Sequence, residues 1–169
     1  MTVASRLKVT QIPVGLGELK HTKESTDALV AYGLGSCVGV ALWDSMSGIA
    51  ALAHIILPTA ATNSRRNDNP LKYADHAIPT MLAELARLGA QKSNLIVRIA
   101  GGAQMLRTSG SNEIFNIGAR NVEQVRKELA RAGLRIANED VFGHQGRTMS
   151  VFPKDGRVTV QSAGVVKEL

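Results

Sequence analysis

A chain of 169 residues is long enough for one domain and short for a second, independent one, so a single domain over residues 1–169 should bury roughly 70% of the surface its unfolded form exposes. Hydrophobic residues at 44%, charged residues at 20%, 16 glycines and 5 prolines exclude a disordered or fibrous chain. One cysteine, Cys37, excludes an intramolecular disulfide and any cysteine-rich zinc site. The net charge of +6 and pI of about 9.8 would suit an acidic partner. The basic residues are dispersed and almost without interleaved aromatics, however, so neither a phosphate stripe nor a stacking platform for nucleic acid is visible.

The first 20 residues lack the apolar core of about 7–15 residues that a secretory signal needs. Residues 28–43 and 49–57 are apolar but too short or too interrupted to span a bilayer. The expectation is therefore no membrane insertion and a cytoplasmic, reducing location, where a free thiol stays a thiol. Residues 28–43 (ALVAYGLGSCVGVALW) and 49–57 (IAALAHIIL) flank the turn composition Asp44-Ser45-Met46-Ser47-Gly48 and read as a β-hairpin. Residues 59–70 form a polar loop that could serve as a mobile flap or as a plain solvated connection.

From Tyr73 to Leu88 the apolar positions Ala74, Ala77, Ile78, Met81, Leu82 and Leu85 recur at three- and four-residue steps, predicting a helix closed by Gly89. Pro79 should kink that helix or mark its first turn. Residues 95–100 (LIVRIA) predict a buried strand running into Gly101-Gly102, and residues 118–132 predict a second amphipathic helix ended by Gly133. Three more strands follow, at 134–138, 147–152 and 157–162. Two helices among seven or eight short strands predict an α+β domain with antiparallel or mixed, sandwich-like sheets flanked by helices.

Cys37 lies in Gly33-Leu34-Gly35-Ser36-Cys37-Val38-Gly39. A cysteine in such a run is by default a small buried hydrophobe. The glycines at 33 and 35 nevertheless permit outward-pointing amides that could lower a thiol pKa and receive an oxyanion, and Ser36 adds a hydroxyl. His54 is the one polar side chain in its apolar run. If Asp44 to Ser47 form a four-residue loop, Cys37 and His54 are directly opposed on one face of the hairpin. A thiol and an imidazole so placed divide nucleophilic and acid–base roles in acyl transfer to amides and esters, with no metal or organic cofactor. His21, His76 and His144 sit in polar, helical or loop settings and carry less weight, although His144 could border a site.

At these residues the chain resembles the CheD family of chemoreceptor glutamine deamidases. The resemblance rests on GLGSCVGV at 33–40, AHIILP at 53–58, KYAD at 72–75, IAGGAQM at 99–105, NIGARN at 116–121 and the ED-x-x-G stretch at 139–143. It implies the CheD and deamidase-toxin fold, with Cys37 as nucleophile and His54 as catalytic histidine. It also implies hydrolysis of glutamine side chains on methyl-accepting chemotaxis receptors, a related methylesterase activity, and pairing with the phosphatase CheC. The glycine motif at 101–105 and the 118–121 segment are then scaffold for the site, with roles unassigned.

One departure stands out: the family's threonine six residues before the cysteine is Ala31 here. Orientation of the histidine would fall to a main-chain carbonyl, such as the backbone at Ala31, to Thr26 or to water, with support from Gly35 and Ser36, and turnover should be lower than in threonine-bearing relatives. The competing reading of the same departure is a catalytically weakened module that docks on chemoreceptors or on CheC.

Overall fold

The structure, a computed structural model, describes residues 8–60, 67–106 and 116–169. Two five-stranded mixed sheets pack face to face, and two helices cover the outer side of one of them. The first sheet has the order β1 (Thr10–Pro13), β3 (Asp27–Leu34), β8 (Arg147–Val151), β9 (Val158–Ser162) and β10 (Val165–Glu168). The second has the order β2 (Leu19–Thr22), β5 (Ala50–Ile55), β4 (Val38–Asp44), β6 (Leu95–Gly101) and β7 (Ile136–Val141). The pairs β1/β3 and β6/β7 are parallel and the others antiparallel, so the expected α+β architecture with mixed sheets is the one observed.

Burial explains which strands were easy to see. The second sheet is covered on both faces, and every residue of β5 is buried, so its sequence is a continuous apolar run rather than an alternation. β8 belongs to the sheet with an open outer face, and its burial alternates along the strand, with Met149 and Val151 pointing inward. One core lies between the sheets, built on Leu29, Ala31, Leu34, Ala41, Leu52, Met149 and Val151. The other lies between the second sheet and the helices α1 (Ala74–Arg87) and α2 (Ile117–Arg131), with Val40, Ile55, Ile78, Met81, Val125 and Leu129 at its centre. Pro79 sits inside α1 rather than in its first turn.

The apolar run at 28–43 is not one arm of a hairpin. Its first half is β3 in the first sheet and its second half is β4 in the second, and the chain crosses between sheets at Gly35, Ser36 and Cys37. The hairpin proper is β4 with β5, and its turn lies one residue later than expected. Asp44 belongs to the strand side because its backbone N–H donates to Ile49 and its buried carboxylate accepts from the N–H groups of Met46, Ser47 and Gln91. Gly48 closes the turn at φ 73°. Of the polar loop at 59–70, residues 61–66 fall outside the described residues. Its end forms a short 3-10 turn, Pro70–Lys72, capped by the Asn69 side chain.

Candidate active site

The one-residue shift of the turn moves the hairpin register by two and preserves face. His54 is paired with Gly39, not with Cys37, and the ladder ends at Val38 and Ile55. Cys37 therefore stands at the mouth of β4, diagonal to His54 in the register and on the same inter-sheet face. Direct opposition is replaced by a diagonal arrangement, while the shared face is retained because two residues is a whole side-chain period. The absent side chain at Gly39 matters here: a Cβ there would stand 2.8 Å from Met149 Sδ and 3.0 Å from Leu34 Cδ1, so both side chains pack close over that glycine.

His54 is 2% exposed and Cys37 9% exposed. The imidazole Nδ1 is 3.0 Å from the carbonyl oxygen of Val14. A carbonyl only accepts, so Nδ1 carries the hydrogen and Nε2 of the neutral ring presents its lone pair. That Nε2 is buried and has no hydrogen-bond partner among the described residues. The backbone is anchored by the same segment: His54 N–H donates to Glu18, and Gly17 N–H donates to the His54 carbonyl. The link from β1 to β2 thus orients the histidine, a role nothing in the sequence of residues 14–18 announced.

Ala31 is fully buried in β3, opposite Met149, and lines the core between the sheets. The group that accepts the imidazole hydrogen is Val14, while Thr26 uses its carbonyl to accept from Thr10.

Around Cys37 the crossover is held by backbone contacts. Gly102 N–H donates to the Cys37 carbonyl and Ala103 N–H to the Gly35 carbonyl, each at 2.8 Å. A Cβ on Gly101, at φ 115°, would overlap the Cys37 carbonyl oxygen. Gly35 is tight against Met105, whose Cγ would be 2.9 Å from an added Cβ. Among the described residues no oxygen accepts from the N–H of Ser36, and the N–H of Cys37 is turned to its own sulfur. A hollow of about 110 Å³ opens beside them, lined by Ser36, Ala103, Gln104, Met105, Leu106 and Gly118.

Electrostatically the pair rests neutral. Burial pushes the Cys37 thiol above its ordinary value, against the lowering expected from glycine-rich surroundings, because the sulfur faces the inter-sheet core; its own backbone N–H opposes this only in part. Burial likewise pushes His54 down, partly offset by Val14 and by the charge of Glu18.

The segments at 101–105 and 118–121, expected to be scaffold, make specific contacts around the crossover. Gly102 and Gly118 let α2 approach the end of β6, and Asn116 caps α2 by accepting from Ala119 N–H at 3.0 Å. Asn121, fully buried, donates to the carbonyls of Ser36 and Ile56 at 2.9 and 2.8 Å. The other histidines stand apart. His21 lies 3.9 Å from Glu84, and His76 pairs with its neighbour Asp75. His144 borders a separate cleft of about 500 Å³ with Asp140, Arg147 and Lys167, which neither Cys37 nor His54 lines. Among the described residues no three His, Cys, Asp or Glu side chains cluster as a metal site, and no helix is long and apolar enough to cross a membrane.

Comparison with known proteins places the chain among relatives. The family model described as "CheD chemotactic sensory transduction" matches residues 56–162. A protein of Symbiobacterium thermophilum is 48% identical over 151 residues, which is 89% of this chain and 92% of that protein. One from Clostridium kluyveri is 40% identical over 164 residues, 96% of this chain and 100% of its own length. One from Clostridium botulinum is 41% identical over 156 residues, 92% and 95% of the two chains. All three carry the name "Probable chemoreceptor glutamine deamidase CheD". With a family model matching 107 residues and relatives aligned over nearly its whole length, the chain belongs to the CheD family.

Proposed function

We propose that this chain hydrolyses the side-chain amide of glutamines on methyl-accepting chemotaxis receptors, in the cytoplasm, with Cys37 as nucleophile and His54 as general base and acid. The observation that carries the reading is the lone pair of His54 Nε2, buried without a partner on the face it shares with Cys37, while Val14 fixes the tautomer. The names of the relatives supply the substrate class.

The Cys37 sulfur attacks the glutamine amide carbon as its proton passes to His54 Nε2, and the carbonyl oxygen takes up the electron pair. Backbone N–H groups at Ser36 and Cys37 receive that oxyanion. On collapse, His54 returns the proton to the departing nitrogen, ammonia leaves, and a thioester remains. Water then gives a proton to His54 and its oxygen to the acyl carbon; the thiolate leaves, is reprotonated, and glutamate is released. A glutamyl methyl ester would follow the same course with methanol as leaving group.

The test is mass spectrometry of receptor cytoplasmic fragments incubated with the protein, following amide-to-carboxyl conversion. Cys37→Ala should abolish conversion, and His54→Ala should lower its rate by about 10²–10⁴-fold. Undiminished conversion by Cys37→Ala would refute the nucleophile. The competing reading, a docking module for receptors or CheC favoured by Ala31, requires binding without conversion by the unaltered protein.

A further inference from the structure

We propose that Asn121 is a positioning residue for the reaction, its side-chain amide tying the strand that delivers Cys37 to the strand that delivers His54. The inference rests on the reading of Cys37 and His54 given above. The hairpin ladder ends at Val38 and Ile55; beyond it the Cys37 carbonyl is taken by Gly102 on β6, while the carbonyls of Ser36 and Ile56 have no ladder partner across the hairpin. Ser36 immediately precedes Cys37, and Ile56 lies two residues beyond His54. Asn121 Nδ2 carries two hydrogens and directs one to each carbonyl, at 2.9 and 2.8 Å. No other side-chain donor among the described residues bonds either oxygen.

The placement of Asn121 is costly to build, and the sequence around it is arranged to allow it. The residue lies in the second turn of α2, on the helix-covered side of the second sheet and away from the face that Cys37 and His54 share. To bring its short side chain to the strand ends, α2 must approach the backbone of β6 closely. Gly118 and Gly102 make the approach: a Cβ on Gly118 would stand 2.5 Å from the Ala103 carbonyl oxygen and 2.6 Å from that of Gly102. Asn121 is 0% exposed, and its Oδ1 has no partner among the described residues. A buried amide with one end unsatisfied is tolerated where the other end has a task, and both Nδ2 hydrogens are committed to the two strand ends. Without this bridge the crossover, still held to β6 through Gly102 and Ala103, loses its tie to the end of β5 where Cys37 must reach His54 Nε2.

Asn121→Asp keeps the shape and removes the paired donors, while Asn121→Gln keeps both hydrogens on a longer arm. For Asn121→Asp we expect kcat for glutamine conversion to fall by about 10-fold or more, with KM changed by less than about threefold, since a misplacement near 1 Å can cost 10²-fold in rate. The pH profile of Cys37 alkylation by iodoacetamide should shift in the same variant, and Asn121→Gln should recover part of kcat.

A purely structural role would lower melting temperature while leaving kcat and the alkylation profile of the folded protein unchanged, and that result overturns the proposal. In the unaltered protein, where no variant has to fold, the two Nδ2–H resonances of Asn121 should exchange slowly and move when Cys37 is alkylated. Rapid exchange, or indifference to alkylation, also overturns it. Conversion that survives Cys37→Ala instead defeats the catalytic reading itself, a different failure that the Cys37 control identifies.

Discussion

Burial holds His54 and Cys37 neutral, with consequences at opposite ends of the pH scale. The folded-state value of His54 lies below the ordinary 6.5, so the unfolded chain binds the extra proton first. The stability this neutral histidine contributes is present above pH 6.5 and is lost as pH falls through the lowered value. Cys37 lies above its ordinary 9.0, so its contribution is present below pH 9.0 and is lost as pH rises through the raised value. Unfolding free energy should therefore be flat between about pH 6.5 and 9, and Cys37→Ala should reduce the alkaline decline while leaving the acid limb in place. Activity follows the same groups. The acid limb of kcat/KM should fall at a pH below 6.5, since the neutral base persists to lower pH than in an exposed histidine. Urea titrations at several pH values and a kcat/KM profile check both; an acid limb at or above 6.5 counts against a desolvated base.

At the scale of elements, the crossover from β3 to β4 depends on what lies behind it. Gly33 and Gly101 both adopt positive φ, at 66° and 115°, yet their surroundings differ. A Cβ on Gly33 meets nothing within 4 Å, so Gly33→Ala should cost only left-handed backbone strain, about 1–2 kcal/mol. On Gly101 the added carbon would overlap the carbonyl of Cys37 itself, and relief requires moving the β4/β6 ladder at its catalytic end. Gly101→Ala should therefore lose more than about 2 kcal/mol and also lower kcat in whatever fraction remains folded. Thermal melts with glutamine conversion at a permissive temperature separate the two; equal losses at both glycines would show that the contact yields easily.

The same hairpin shows what the sequence carries. Alternation put Cys37 and His54 on one face because parity survives a shift of two, whereas their direct opposition did not survive, since the turn is set by Asp44 accepting three backbone N–H groups. A side chain that acts as strand and turn anchor at once is invisible to composition. Val14 and Asn121 were out of reach for a related reason: one acts through its carbonyl and the other through two carbonyls distant in sequence.

For the whole molecule, the elements legible in the sequence are those buried on one or both faces: β4, β5, β6, β8, β9 and the two helices. β1, β2 and β10 are short and have no buried residue, so no apolar pattern marks them, and β10 is exposed at every residue. Beyond its ladder with β9, charge ties the edge strand β10 to the other sheet. Asp140 on β7 of the second sheet lies 3.3 Å from Arg147 on β8 and 3.1 Å from Lys167 on β10, both of the first sheet. Arg147 is 9% exposed and also donates to the Gln145 carbonyl. Burial alone would push the Asp140 carboxyl up, but Arg147 and Lys167 outweigh it and hold the group below its ordinary 3.8.

A side chain bridging two sheets from a mostly buried position should matter more than a surface pair such as Lys20 with Glu18, where both partners are 39% or more exposed. Arg147→Met, which keeps the buried stem and removes the fork, should cost about 1–3 kcal/mol at pH 7. At this chain length each kcal/mol lowers the melting temperature by about 2–4 °C. Lys20→Met should stay within about 1 kcal/mol. The sign of the pH dependence identifies the cause. With the folded carboxyl depressed, its contribution is present above pH 3.8 and disappears as pH falls through the lowered value, so the gap between the unaltered protein and Arg147→Met should narrow as the solution is acidified below 3.8. A gap that is constant with pH would assign the loss to the fork's contact with the Gln145 carbonyl rather than with the carboxylate, and an Arg147→Met as neutral as Lys20→Met would show that the two sheets hold together without this ion pair.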